Sequence, residues 1–188
     1  KILLNEFNKS INFLKQALDI QPNFTECLYN LGLCYKNLGD YKTAIIYYSK
    51  AIQNNPKHLK SYNNLGVCFF LINDYKNAIK NLKNCLDLKS NYPNALSNLG
   101  SIHLAQKNFK EAKNFFTSAY ALDRNLINAG IQKIYLERRV CDWSSDHEIN
   151  SLMNDSITLD ADVIPWQCLA IEDNPSNHLK RAEKYSRN

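Results

Sequence analysis

The dipeptide Leu-Gly recurs at Leu31-Gly32, Leu65-Gly66 and Leu99-Gly100, each 34 residues after the last and each directly preceded by an asparagine, Asn30, Asn64 and Asn98. A fixed period of this length constrains the fold more than any other feature of the chain. Each repeat is one supersecondary unit that cannot bury its apolar face alone, so neighbouring units must stack. The register extends well beyond the dipeptide. Leu28, Tyr62 and Leu96 occupy one position, and Tyr35, Phe69 and His103 another. Tyr41, Tyr75 and Phe109 follow, then Ala44, Ala78 and Ala112, then Tyr48, Leu82 and Phe116, then Ala51, Cys85 and Ala119. Small residues at fixed places let two helices approach closely, and the rings fill the gaps beside them.

These positions resemble the tetratricopeptide repeat, a pair of antiparallel helices in 34 residues. The resemblance implies an all-α fold, a tetratricopeptide-repeat right-handed superhelix (an α-α solenoid), here with a short C-terminal helical and loop extension. Residues 1 to 22 read as the second helix of an earlier repeat, because Phe7, Ser10, Leu14, Ala17 and Pro22 match Tyr41, Ala44, Tyr48, Ala51 and Pro56. The expectation is that the solenoid extends upstream. Pro22 and Pro56 end helices, since proline cannot continue the backbone ladder. Gly39-Asp40 and Asn73-Asp74 are the turns within repeats, with each Asp an N-cap for the helix that follows, and Lys107-Asn108 repeats the turn less clearly. Leu126 to Arg139 keeps a helical period, but Gly130 stands where the repeats have a Leu or a ring, and Ile134 stands where they have Gly. A terminal repeat is expected to be atypical.

Composition changes after this helix. Residues 1–139 hold 19 Lys and Arg against 9 Asp and Glu, whereas residues 140–179 hold eight acids and no Lys or Arg. The net charge of +5 therefore combines a basic array and an acidic following segment. We place the boundary near Val140: residues 1–139 are the repeats, and 140–188 a linking and capping segment. Ser145 and Glu148 have capping-box spacing, and Ile149, Leu152 and Met153 repeat at helical spacing, so a helix is expected from about Trp143 to Asp155. Ser156 to Asp173 reads as loop or extended chain, with Pro165-Trp166 inside it. Asn174-Pro175 opens a last helix, with Leu179, Ala182 and Tyr185 on one side. Trp143, Ile149, Leu152, Trp166 and Leu169 make this segment too apolar to stay unpacked, so it is expected to cover the end of the array.

The chemistry-bearing residues are few. Asn30, Asn64 and Asn98 recur on the first helix of each repeat, and stacking aligns equivalent residues in a row. An amide donates and accepts at once, as a peptide bond does, so the row is the candidate peptide-binding site. The lysines are scattered and no aromatic-interleaved basic groove exists, which argues against nucleic acid as a partner. No run approaches the roughly 18 apolar residues of a membrane span, and no signal-peptide pattern is present. The six cysteines show no C-x-x-C or zinc spacing and read as buried thiols of a reducing, cytoplasmic compartment. Asp146-His147-Glu148 is not a zinc motif and reads as first-turn acids favoured by the helix dipole. His103 takes a core ring position. No nucleophile-base pair or phosphate loop appears, so no catalytic, metal or cofactor-binding residue is expected in this chain.

Arg139-Val140-Cys141-Asp142-Trp143 follows directly on the decaying repeat. This run is similar to the junction in O-linked N-acetylglucosamine transferases and Spindly-type relatives, where a repeat array leads toward a catalytic region. Pro165, Asn174-Pro175 and Leu179 to Ser186 fit the order of elements in that family. Its animal members carry a His-rich stretch where this chain has Trp166-Gln167-Cys168, which points to the bacterial branch. The resemblance implies that the array recruits protein substrates on its concave face, through the asparagine row. It also implies that a UDP-sugar donor binds only in a downstream region, so that this chain alone is no enzyme. The alternative is a stand-alone tetratricopeptide adaptor. A chaperone-tail carboxylate clamp is disfavoured, because its places hold Tyr29, Leu33 and Asn94.

Overall fold

The computed structural model describes residues 2–152 apart from 141, 143 and 150, with side chains from Glu6 onward except that of Asp146. The chain divides into two compact units, Lys1–Ala95 and Leu96–Asn188. The expected loop after Ser156 and the last helix lie outside the described residues.

The first unit contains α1 (Ile2–Ile20), α2 (Thr25–Asn37), α3 (Tyr41–Asn54), α4 (Leu59–Leu71) and α5 (Tyr75–Leu88), and the start of α6 (Pro93–Ala105). Along α1 to α5 each helix packs on its neighbour in the chain, and α2 also touches α4. The small positions are what bring the pairs together. A Cβ added at Gly32 would meet the Tyr48 ring at 2.5 Å, and one at Gly66 would meet Leu82 Cγ at 2.7 Å. Ala44, Ala51, Ala78 and Cys85 are fully buried on the opposing helices. Tyr48 fills one core with Leu65, Cys68 and the flanking rings of Tyr29, Tyr35 and Phe69. Ile11, Leu31 and Cys34 form another, against Phe7, Leu14 and Tyr47.

The expected turns are present. Asp40 Oδ1 accepts from the Thr43 amide at 3.1 Å, and Asp74 Oδ1 from the Asn77 amide at 3.1 Å. Gly39, Asn73 and Lys107 share a left-handed backbone, with φ of 79°, 62° and 62°. Asn108 makes no side-chain cap bond, so the third turn repeats the backbone without the cap. Helix α1 ends at Ile20 and α3 at Asn54, each two residues before its proline.

The second unit holds the rest of α6, then α7 (Phe109–Leu122), α8 (Ile127–Arg138) and a single 3-10 turn, Asp146–Glu148. Gly100 lies beneath the Phe116 ring, with 2.9 Å to an added Cβ, and His103 stacks on Phe115 at 5.3 Å, a packed ring as its repeat position implies. Ile131 and Ile134 of α8 are buried with Phe116 and Ala119 of α7. Ile149 and Leu152 join this same core, so the start of the acidic segment does pack on the last helix pair. The helix expected from Trp143 begins instead as the 3-10 turn, with helical backbone at Ile149, Ser151 and Leu152. Glu148 does not turn back to cap it. Its two oxygens go to Lys133 Nζ at 3.1 Å and Arg124 Nη1 at 3.3 Å, because two cations in a partly buried setting hold a carboxylate better than one amide does.

Candidate protein-binding surface

The asparagines sit on α2, α4 and α6, at the place the 34-residue register dictates, one residue before a buried Leu on the same helix. Their environments differ. Asn30 is exposed. It lines a groove of about 500 Å³ with Asn37, Leu33 and Cys34 of α2 and Phe7, Ser10, Phe13 and Leu14 of α1. Phe13 is 70% exposed at its rim. The groove thus offers an apolar floor and two amides.

Asn64 is half-buried and already engaged. Its Oδ1 accepts from Lys36 Nζ at 3.0 Å, and its Nδ2 donates to the Lys60 carbonyl at 3.0 Å and, weakly, to Tyr29 Oη at 3.5 Å. A ligand that uses this amide must take over the Lys36 or Tyr29 contact. Asn98 is half-buried on α6, in the second unit. The next place in the register is Gln132, an amide again but buried. The groove beside Asn30 is not legible in the asparagine pattern. The only trace of it in the sequence is Phe7, Phe13 and Leu14 standing at second-helix positions in α1.

One polar constellation has the residue types of a catalytic triad. His58 Nδ1 lies 2.7 Å from Ser61 Oγ, and His58 Nε2 lies 3.2 Å from Glu26 Oε1. Ser61 is fully buried, so no substrate carbonyl can reach its hydroxyl. His58 is also the N-cap residue of α4, and its carbonyl accepts from the Ser61 amide at 3.1 Å. The arrangement is a cross-tie from α2 to the start of α4, with the His58 ring edge-on to Tyr29 at 5.2 Å.

The four described thiols are poor candidates for chemistry. Cys27, Cys34, Cys68 and Cys85 are buried and unpaired by disulfides. Burial pushes the Cys68 and Cys85 thiols up to about 11, so both stay protonated and poorly nucleophilic at neutral pH. Among the described residues no three potential metal ligands come together, and no helix is long and apolar enough to cross a membrane. His147 is exposed, 4.0 Å from the Glu148 carboxylate that Lys133 and Arg124 already hold.

Known proteins match this picture at two levels. Family models described as tetratricopeptide repeat match residues 25–58, 47–80 and 93–126, and one described as TPR repeat matches residues 68–107. Together they span more than half of the chain. No curated protein matches it. Among solved structures, a crystal structure of MamA has a TM-score of 0.65 at 19% identity, covering 98% of this chain and 93% of that one. MamA (41-end) from Desulfovibrio magneticus RS-1 has a TM-score of 0.68 at 21% identity, covering 82% and 88%. A MamA RS-1 double mutant has a TM-score of 0.69 at 22% identity, covering 84% and 89%. At such identities the likeness is one of fold.

Proposed function

The chain belongs to the tetratricopeptide-repeat family, and we infer from this that it is a protein-interaction scaffold whose first helices recruit extended polypeptide. The observation that carries this reading is the exposure of Asn30 in a groove with apolar walls. A passing chain can seat a side chain against Phe7, Phe13 and Leu33 while its backbone pairs with the amide. Asn64 offers the same chemistry in the first unit where a ligand displaces Lys36 or Tyr29, and Asn98 is the equivalent amide of the second unit. A net hydrogen bond contributes about 0.5–1.5 kcal/mol, so no single asparagine decides affinity.

The experiment is fluorescence anisotropy of peptides selected on the protein. Asn30→Ala, Asn64→Ala and Asn98→Ala are compared singly and combined. Each is expected to weaken binding by roughly two- to twelvefold, the range that one such bond spans. Unchanged affinity in the triple variant would remove the asparagines from the site.

A more specific reading is that residues 1–139 recruit substrates for a protein O-glycosyltransferase, with 140–188 leading toward a catalytic region and a UDP-sugar bound outside this chain. Its support is the run Arg139 to Trp143 and the elements that follow it in sequence. Cys141 and Trp143 lie outside the described residues. A stand-alone adaptor is the alternative. Incubating the parent protein with UDP-sugars and candidate acceptors separates the two, since only the transferase yields a glycosylated product. Cytoplasmic placement belongs to the same proposal and is supported by the four described cysteines, which are buried and form no disulfide.

A further inference from the structure

A second cavity, of about 390 Å³, lies within the second unit between the start of α7 and the end of α8. Its lining is Phe109, Lys110 and Lys113 from α7, and Leu136, Arg139 and Val140 from α8 and the residues after it. Three of these are hydrocarbon and three are cations. Leu136 is buried at its base, whereas Val140 is 66% exposed and Phe109 36% exposed. The Arg139 guanidinium lies 4.3 Å from the Phe109 ring centroid, and its Nη1 donates to Tyr135 Oη at 3.2 Å. A guanidinium lying near a ring is held in place and keeps further N–H groups for an anion. The facing acid is Asp142, 3.7 Å from Lys113 Nζ. Its carboxylate also accepts from the Ser144 amide at 3.1 Å, so Asp142 offsets only part of the positive charge.

We propose that this cavity is a docking site for an acidic peptide segment carrying one apolar anchor residue, distinct from the asparagine-bearing first helices. The anchor fills the space above Leu136, between Phe109 and Val140. Its flanking carboxylates pair with Lys110, Lys113 and Arg139. Charge complementarity names the partner: three cations surround a hydrocarbon floor, and among the described residues only Lys113 has a carboxylate beside it. A small inorganic anion would leave the floor unfilled, and a neutral apolar peptide would leave the cations unmatched. The proposal rests on the scaffold reading but uses no asparagine of the row.

The test uses the full chain and a fluorescein-labelled Asp-Glu-Leu-Asp-Glu peptide, with Asn-Gln-Leu-Asn-Gln as the neutral control. The acidic peptide is expected to bind at least about tenfold more tightly at low salt, and to lose that advantage as salt screens the rim. Lys110→Glu and Arg139→Glu, both at exposed positions, should each weaken it severalfold, and Val140→Asp should repel it. Circular dichroism melting confirms that each variant folds. The combined alanine variant of Asn30, Asn64 and Asn98 should bind this peptide normally, so failure of the asparagine reading and of this one are separable. Equal binding of the two peptides, or no effect of Lys110→Glu and Arg139→Glu in folded protein, overturns the proposal. So does displacement of the peptide by an oligonucleotide of matched charge at lower concentration, which would assign the cavity to nucleic acid.

Discussion

Leu152 packs directly on Gly130: a Cβ at Gly130 would lie 2.8 Å from Leu152 Cδ2 and 3.0 Å from Tyr120 Cε2. In the repeats this register position carries Leu28, Tyr62 or Leu96, and the glycine comes four residues later. In α8 the two are exchanged. Gly130 opens a seat, Leu152 fills it from the segment beyond the repeats, and Ile134 is buried where the repeats have glycine. The last helix thereby gains a partner through which its apolar face is covered. Leu152→Ala leaves a cavity at a fully buried site and should cost about 2–5 kcal/mol, read as a lowered urea midpoint. A midpoint within error of the parent would show that the packing is dispensable.

Gly66→Leu tests the close approach inside a repeat. The added side chain meets Leu82 Cγ, 2.7 Å from the new Cβ, and the Ala78 carbonyl, 3.2 Å away. Leu82 can rotate but the backbone carbonyl of α5 cannot, so the helices must separate. Overpacking of this kind costs about 1–3 kcal/mol. Gly66→Ala should lie between the parent and Gly66→Leu in thermal melts, and the reverse order would refute the steric account.

Tyr48 offers the opposite case. Its ring is needed against Gly32, but its hydroxyl is buried without a hydrogen-bond partner, and burial pushes the phenol pKa up. A buried polar group left unsatisfied costs about 1–3 kcal/mol. Tyr48→Phe keeps the ring and removes that cost, so stability should rise by up to this amount in denaturant titrations. A destabilised variant would mean that the hydroxyl has a partner, such as an ordered water.

Four carboxylates among the described residues are held below their ordinary pKa, Asp142 by the Ser144 hydrogen bond and Asp40, Asp74 and Glu148 by other partners. Hydrogen bonds from Thr43 and from Asn77 hold Asp40 and Asp74 below their ordinary value of 3.8. For Glu148, burial pushes upward, but Lys133 and Arg124 outweigh it and the net shift is below 4.5. A carboxyl whose folded pKa is depressed adds stability that is fully present above its unfolded value and vanishes as pH falls through the folded one. Stability should therefore be flat at and above about pH 6 on account of these groups and decline below their ordinary values of 3.8 and 4.5. Asp40→Asn combined with Glu148→Gln should flatten the decline, measured as the urea midpoint against pH. An identical acid profile in that variant would assign the decline to other groups.

The sequence by itself determined the helix pairs, their turns and the contacts within each repeat. These contacts recur at one separation: the residue sixteen places after each repeat glycine covers it, Tyr48 on Gly32, Leu82 on Gly66, Phe116 on Gly100. A contact at constant separation leaves a periodic mark on the chain, because every repeat solves the same packing problem with the same kinds of residue. Caps and left-handed turns are legible for a related reason, since they depend on backbone conformations that few side chains favour. What only the tertiary structure decided are contacts at separations that occur once. Lys36 reaches Asn64 and occupies an amide that the register presents as equivalent to the exposed Asn30. Leu152 returns onto Gly130, and Glu148 turns to Lys133 and Arg124 instead of capping its own turn. Phe109 and Arg139, thirty residues apart, meet over Leu136. Each of these depends on the rotamer of a long side chain and on the path of a non-repeating connection. Neither is encoded in a period, so the positions along the array were readable in advance and the chemistry available at each of them was not.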